Sequence, residues 1–118
     1  MNNRKTGLAG ESIAAKYLED KGYAILQRNF SCKVGEIDVV AMDGDTLVFV
    51  EVKARENTKF GMPIEAITPA KVRSIIGAAR YYIMKNHLYD TQARFDVIAI
   101  LRGKIQHIEN AFEQKTGF

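Results

Sequence analysis

Apolar positions along the chain form two helical stripes set among short β-rich runs. From about Leu8 to Lys21, helix-favouring residues dominate and Gly22 supplies a stop. Leu8, Glu11, Ala14, Ala15 and Leu18 recur at three- and four-residue spacing on one face. Tyr23 to Asn29 reads as a strand, with Tyr23, Ile25 and Gln27 on one side. Gly35 to Met42 (GEIDVVAM) and Thr46 to Lys53 (TLVFVEVK) are further strands, rich in Val, Ile and Phe. Asp43-Gly44-Asp45 between them is a hairpin signal, because Gly accepts the positive φ of tight turns. Ala54 to Ile67 is polar, contains Gly61 and Pro63, and reads as a long loop of the kind that often carries function. Thr68 as N-cap and Pro69 in the first turn open a second helix, with an apolar stripe of Val72, Ile75, Ile76, Ala79 and Ile83. Arg94 to Leu101 (RFDVIAIL) and Lys104 to Ile108 are the last strands, joined by a turn at Arg102-Gly103.

The order is therefore αβββαββ. A strand–helix–strand step favours parallel pairing, so the expectation is an α/β fold with a mixed central sheet of about five strands flanked by helices. No domain boundary is visible, and residues 1–118 read as a single domain.

The hairpin carries the candidate chemistry. Side chains alternate along strands, so Glu36, Asp38, Val40 and Met42 are expected on one face, as are Leu47, Phe49, Glu51 and Lys53. Asp38 and Glu51 come to the same side of the sheet only if the loop has an even number of residues. A two-residue Asp43-Gly44 turn pairs Asp38 with Phe49 and Glu36 with Glu51; a four-residue loop pairs Asp38 directly with Glu51. Lys53 follows one pleat further on. Glu11 is an acid inside the core stripe of the first helix and reaches the same cluster if that helix packs on that side.

Several buried carboxylates together are costly without a compensating cation. Hard oxygen ligands suit Mg²⁺ or Mn²⁺, which take one or two carboxylates, waters and phosphate oxygens. A bound metal lowers the pKa of a water and stabilises charge on a phosphoryl group, while a nearby lysine orients the water. That combination is what phosphodiester hydrolysis needs. The competing reading is a solvated hairpin face with ordinary cross-strand charges. Leu47, Phe49, Val40 and Met42 on the same face argue for burial instead.

Composition narrows the setting more than the function. The chain is 47% hydrophobic and 26% charged, with a net charge of +3, which permits anionic partners without demanding them. The single cysteine, Cys32, excludes an intramolecular disulfide and suits a reducing compartment. No apolar run resembles a signal segment or a membrane span, so a cytoplasmic protein without membrane contact is expected.

The run GEIDVVAMDGDTLVFVEVKAR, preceded by GLAGESIAAKYLEDKGYAILQRNF, closely resembles the bacterial YraN-type family. The similarity continues through GMPIEAITPAKVRSIIGAARYYI, RFDVIAI and HIENAF, nearly the whole chain. That family looks related to the archaeal Holliday-junction resolvases, within the restriction-endonuclease-like superfamily. The resemblance implies a restriction-endonuclease-like fold and a metal-dependent DNA endonuclease, selective for branched or otherwise structured DNA. It places the metal-binding aspartate at Asp38, the second acid at Glu51, the lysine at Lys53 and a helix-borne glutamate at Glu11. The Val52 carbonyl is implied as a further ligand, and Glu36 as an ancillary acid. Ile37 stands where the superfamily often has proline. Two coordinated cuts at a junction imply a homodimer. The alternative is a non-catalytic nucleic-acid-binding or adaptor protein that keeps the fold.

Arg55, Lys59, Lys71, Arg73, Arg80 and Tyr82 are candidate contacts for DNA phosphates, each weighed against an ordinary surface or half-buried role. Asp96 interrupts an apolar strand and is expected to accept hydrogen bonds or pair with an arginine. His87 and His107 lack metal-ligand spacing, and surface or packing roles are expected for both.

Overall fold

The computed structural model describes residues 3–59 and 61–112, with side chains described from residue 9 onward. The elements are α1 (Asn3–Asp20), β1 (Ala24–Cys32), β2 (Gly35–Asp43), β3 (Thr46–Arg55), a short 3-10 turn (Pro63–Ala66), α2 (Pro69–Lys85), β4 (Gln92–Leu101) and β5 (Lys104–Phe112). The five strands lie in the order β1-β2-β3-β4-β5. Only β3 and β4 run parallel, because the chain between them returns through α2; the other pairs are antiparallel. This is the mixed sheet that the element order predicts.

Period-two alternation on β3 explains why helices cover both faces. Leu47 and Phe49 join Val40, Ile75, Ala79, Tyr82 and Ile83 in a core under α2. Val48, Val50 and Val52 join Val39, Ala41, Ala14, Leu18 and Ile98 in a second core under α1. Continuous burial of β3 from Leu47 to Val52 follows from this double cover. Thr68 caps α2 by accepting from the Lys71 N–H at 3.2 Å, with Pro69 in the first turn. Among the described residues, no helix is long and apolar enough to cross a membrane.

Several expectations need correction. The first helix begins at Asn3, well before Leu8, whose side chain lies outside the described residues. β1 extends to Cys32 and bulges between Ile25 and Gln27. The bulge sets Gln27 opposite Val40, so Gln27 leaves the α1-facing side that Tyr23 and Ile25 share and is exposed, while Phe30 packs toward α2. β5 runs on to Phe112 rather than ending at Ile108. The expected loop from Ala54 to Ile67 contains the 3-10 turn. That turn is held by the Met62 N–H donating to the Glu65 carboxylate at 2.9 Å and the Glu65 N–H to the Met62 carbonyl at 3.0 Å.

The hairpin loop has two residues but is displaced by one from Asp43-Gly44, and so gives the register expected of a four-residue loop. Asp43 pairs with Thr46 and Met42 with Leu47, which leaves Gly44-Asp45 as the loop. This is the register that aligns Asp38 with Glu51, not the one that opposes Asp38 and Phe49.

Candidate functional site

Strict alternation fails at one place on β2, and Asp38 occupies it. Val39 and Ala41 point into the α1 core and Val40 into the α2 core, yet Ile37 also joins the α2 core. Glu36 and Asp38 therefore do not simply share the face of Val40, as expected. The β2–β3 ladder ends at Val39 and Val50, and beyond it Asp38 Oδ2 accepts the Val52 N–H at 2.8 Å. A side chain thus takes over a main-chain donor where the strands part.

Glu51 lies on the α2 side of β3, with only 2% of its surface exposed. Its Oε2 is 3.3 Å from Lys71 Nζ on the first turn of α2. The ammonium is close enough for ionic attraction but is not aligned as a hydrogen-bond donor, and Glu51 Oε2 accepts no hydrogen bond. Burial, reinforced by the neighbouring Asp38 carboxylate, pushes the Glu51 carboxyl from an ordinary 4.5 up to about 8 against the pull of Lys71 and Lys53. Lys53 is half-buried one pleat beyond Glu51 on the same face.

Glu11 approaches from α1. Its carboxyl is also raised, first by burial and then by Asp38, with Arg28 and Asn29 opposing and exposed Glu36 adding to the rise. Glu11 Oε1 is buried and accepts no hydrogen bond. Asp38 therefore acts electrostatically on an acid from each helix-covered side of the sheet.

Two glycines that sequence reasoning missed bring both helices this close. A Cβ on Gly10 would stand 2.9 Å from Ala54 Cβ, so α1 lies directly on β3 beside Glu11. A Cβ on Gly35 would stand 2.5 Å from the Ser74 carbonyl oxygen, so α2 lies directly against the start of β2. Each glycine immediately precedes an acid, in Gly10-Glu11 and Gly35-Glu36, and that adjacency was the available signal.

The donor set suits a hard divalent cation. Two buried carboxylate oxygens lack hydrogen-bond donors, and Asp38 raises the carboxyls of both Glu11 and Glu51. Among the described residues, no three His, Cys, Asp or Glu side chains converge into a complete cage. An ion that keeps waters and binds substrate oxygens needs only one or two carboxylates, as Mg²⁺ does.

The remaining candidates are dispersed. Arg55 is half-buried and donates to its neighbour's carbonyl, Ala54 O, at 3.2 Å, while Lys59 and Arg73 are exposed. Tyr82 is a core residue rather than a DNA contact: it is 5% exposed, with its ring centroid 5.1 Å from Phe30 and 5.9 Å from Phe49. Asp96 is fully buried in a separate network on the α1 face of the sheet, paired with Val50 across β3 and β4 and so on the face opposite Glu51. It accepts from Arg94 at 3.0 Å and from the Asn110 N–H at 3.0 Å, and it meets His107 Nε2 at 2.8 Å. These bonds hold its carboxyl below the usual range even though burial alone would raise it. The structural part expected of Asp96 is thus observed, and His107 is packed inside rather than at the surface.

Fold and site together define an α/β protein of restriction-endonuclease-like architecture, with an acid–acid–lysine cluster where two central strands part. The chain belongs to the Uncharacterised protein family UPF0102, whose model matches residues 10–100. A UPF0102 protein of Pelobacter propionicus is 54% identical over 119 residues, covering 95% of this chain and 85% of that protein. One of Clostridioides difficile is 50% identical over 114 residues, covering 95% of this chain and all of the relative. One of Geobacter sulfurreducens is 49% identical over 117 residues, covering 95% and 91%.

Proposed function

We propose that this protein is a Mg²⁺- or Mn²⁺-dependent endonuclease that hydrolyses DNA phosphodiester bonds, with branched or otherwise structured DNA as substrate. The observation that carries the reading is the acid pair of buried Glu51 and half-buried Asp38, in one register with Lys53 one pleat away. Asp38 and Glu51 hold the cation, with the Val52 carbonyl as a further ligand. Glu11 orders the water around it or holds a second ion. The bound cation supplies an acidified water and offsets charge on the phosphoryl oxygens. Lys53 orients the attacking water, and Arg55, Lys59, Lys71 and Arg73 are the cations available to the DNA backbone. Two copies acting together provide paired cuts at a junction.

The test is a cleavage panel of duplex, single-stranded and four-way DNA with Mg²⁺, Mn²⁺ or EDTA. Asp38→Asn keeps an acceptor for the Val52 N–H while removing a metal-binding charge, so it is expected to fold normally and lose cleavage. Cleavage that survives in Asp38→Asn and Lys53→Ala would exclude the mechanism.

One observation favours a second reading, a non-catalytic DNA-binding protein. Lys71 already provides Glu51 with a protein cation. That reading predicts salt-sensitive DNA binding and no cleavage with either metal.

A further inference from the structure

A cavity adjoins the acid–lysine cluster on the α2 side of the sheet, and the ladder fixes its position. Lys53 pairs with Ala99 across β3 and β4, and Ala99 pairs with Gln106 across β4 and β5. Partners in neighbouring strands present their side chains on one face, about 4.8 Å apart. Lys53, Ala99 and Gln106 therefore form one row. Arg55, Leu101 and Lys104 form the next. The cavity, about 190 Å³, lies over Ala99, Leu101, Lys104 and Gln106 and is closed on one side by Met62 and Pro63. Its wall is built in advance, because Pro63 is buried and the Met62–Glu65 hydrogen bonds hold the 3-10 turn.

We infer that this cavity is a subsite for one unpaired nucleobase of the DNA strand whose phosphate lies at Lys53. The inference rests on the endonuclease reading for the identity of the strand and deepens it by naming the substrate feature that is recognised. Three properties select this occupant. The cavity is smaller than the roughly 300–1,000 Å³ of sites for drug-sized ligands, which suits a single ring system. Its floor and wall are largely apolar, from Ala99, Leu101, Met62 and Pro63, as a base face requires, while Gln106 offers a donor and an acceptor to a base edge. Lys53, Arg55 and Lys104 around it match a phosphate backbone in charge. A base stacked in an intact duplex cannot enter without being unstacked, so single-stranded or junction-flanking nucleotides are favoured.

The test is an abasic scan that does not depend on cleavage. Fluorescently labelled single-stranded oligonucleotides, each with one abasic position, are titrated with the full chain in EDTA and in Ca²⁺, and binding is read by anisotropy. Met62→Ala and Gln106→Ala, both at exposed side chains, are carried alongside with melting curves to confirm folding. Wild type is expected to lose about tenfold in affinity at one abasic position and little at the others. The variants should bind the intact strand more weakly and lose much less at that same position. An equal abasic penalty in wild type and variants would overturn the subsite. So would the absence of any position-specific penalty, or of single-strand binding altogether. A positive scan with no cleavage under any metal retains the subsite and removes the endonuclease reading.

Discussion

Lys71 Nζ, on the first turn of α2, lies 3.3 Å from Glu51 Oε2, a carboxylate oxygen on β3 that accepts no hydrogen bond. The lysine side chain is one third exposed, whereas Glu51 is almost wholly enclosed. A flexible, solvent-reachable ammonium therefore offsets a buried charge at the position where a divalent cation is proposed to act. The same ammonium can leave the carboxylate for water on its long stem, and a metal ion taking its place would restore the compensation that Glu51 then loses.

Replacing Lys71 by Met tests whether the two cations compete. With the ammonium gone, Glu51 loses an attraction that lowers its pKa, so the metal-free protein should become less stable at alkaline pH. Mn²⁺ should then bind several-fold more tightly above pH 8, since a positive neighbour has been removed. Isothermal calorimetry of both proteins provides the comparison. Equal Mn²⁺ affinity would show that lysine and metal do not share Glu51.

Glu51 also sets a pH dependence whose sign can be worked out. Its carboxyl is raised from 4.5 to about 8 in the folded chain, so the folded state keeps a proton that the unfolded state has already lost. The stabilisation is fully present below pH 4.5 and disappears as the pH climbs through about 8. Glu51→Gln cannot lose that proton. In EDTA, the melting temperature of wild type should fall relative to Glu51→Gln by several degrees between pH 5 and pH 9. Mg²⁺ or Mn²⁺ should restore wild type at pH 9 and leave the variant unchanged. Parallel melting curves across this range would show that Glu51 is already ionised when folded.

The acid pair and lysine were legible because β3 alternates so regularly that Glu51 and Lys53 could be assigned to the face of Phe49. The parity of the loop then allowed only two registers for Asp38. The break in alternation at Asp38 was not legible, because it arises where β2 and β3 separate, a tertiary event with no local residue signature. Glu11 was visible as the wrong residue type on a core stripe. Tyr82 was misjudged because a tyrosine at the stripe's edge can face either way, and only Phe30 and Phe49 decide that it turns inward. The Asp96–His107 contact could not be found from spacing, since the two residues meet across a β4–β5 ladder whose register shifts between Phe95 and Val97.

That second network predicts an effect on stability separate from the first. Asp96 is fully buried and bonded to Arg94, to the Asn110 N–H and to His107. Asp96→Ala would strip His107 and the Asn110 N–H of this acceptor while Arg94 keeps its ion pairs with Asp43 and Glu109, and each buried donor left unsatisfied costs about 1–3 kcal/mol. Because the folded carboxyl is held below its ordinary 3.8, its contribution is present above that value and vanishes as the pH falls through the lower folded one. Urea denaturation at pH 7 and at pH 3 should therefore separate wild type from Asp96→Ala widely at the first and less at the second. Mn²⁺ affinity at the acid cluster on the opposite face of the sheet should not change in any variant that remains folded.

Gly35→Ala probes how the site depends on helix placement without touching a charged residue. The added methyl would meet the Ser74 carbonyl oxygen at 2.5 Å and the Ser74 hydroxyl oxygen at 2.3 Å, before any movement. A flexible hydroxyl can turn aside, but a helical carbonyl cannot do so alone, so α2 must shift away from β2. Lys71 precedes Ser74 by one helical turn and would move with it, loosening its contact with Glu51. The expected result is a loss of about 1–3 kcal/mol in stability from overpacking. Mn²⁺ affinity should shift in the same direction as in Lys71→Met. Gly44→Ala serves as the control, because it adds strain at a positive φ of 59° in the hairpin loop and meets no atom within 4 Å. If both substitutions lower stability but only Gly35→Ala changes metal affinity, the seating of α2 on β2 is what positions Lys71. If neither changes it, Lys71 reaches Glu51 independently of that seating.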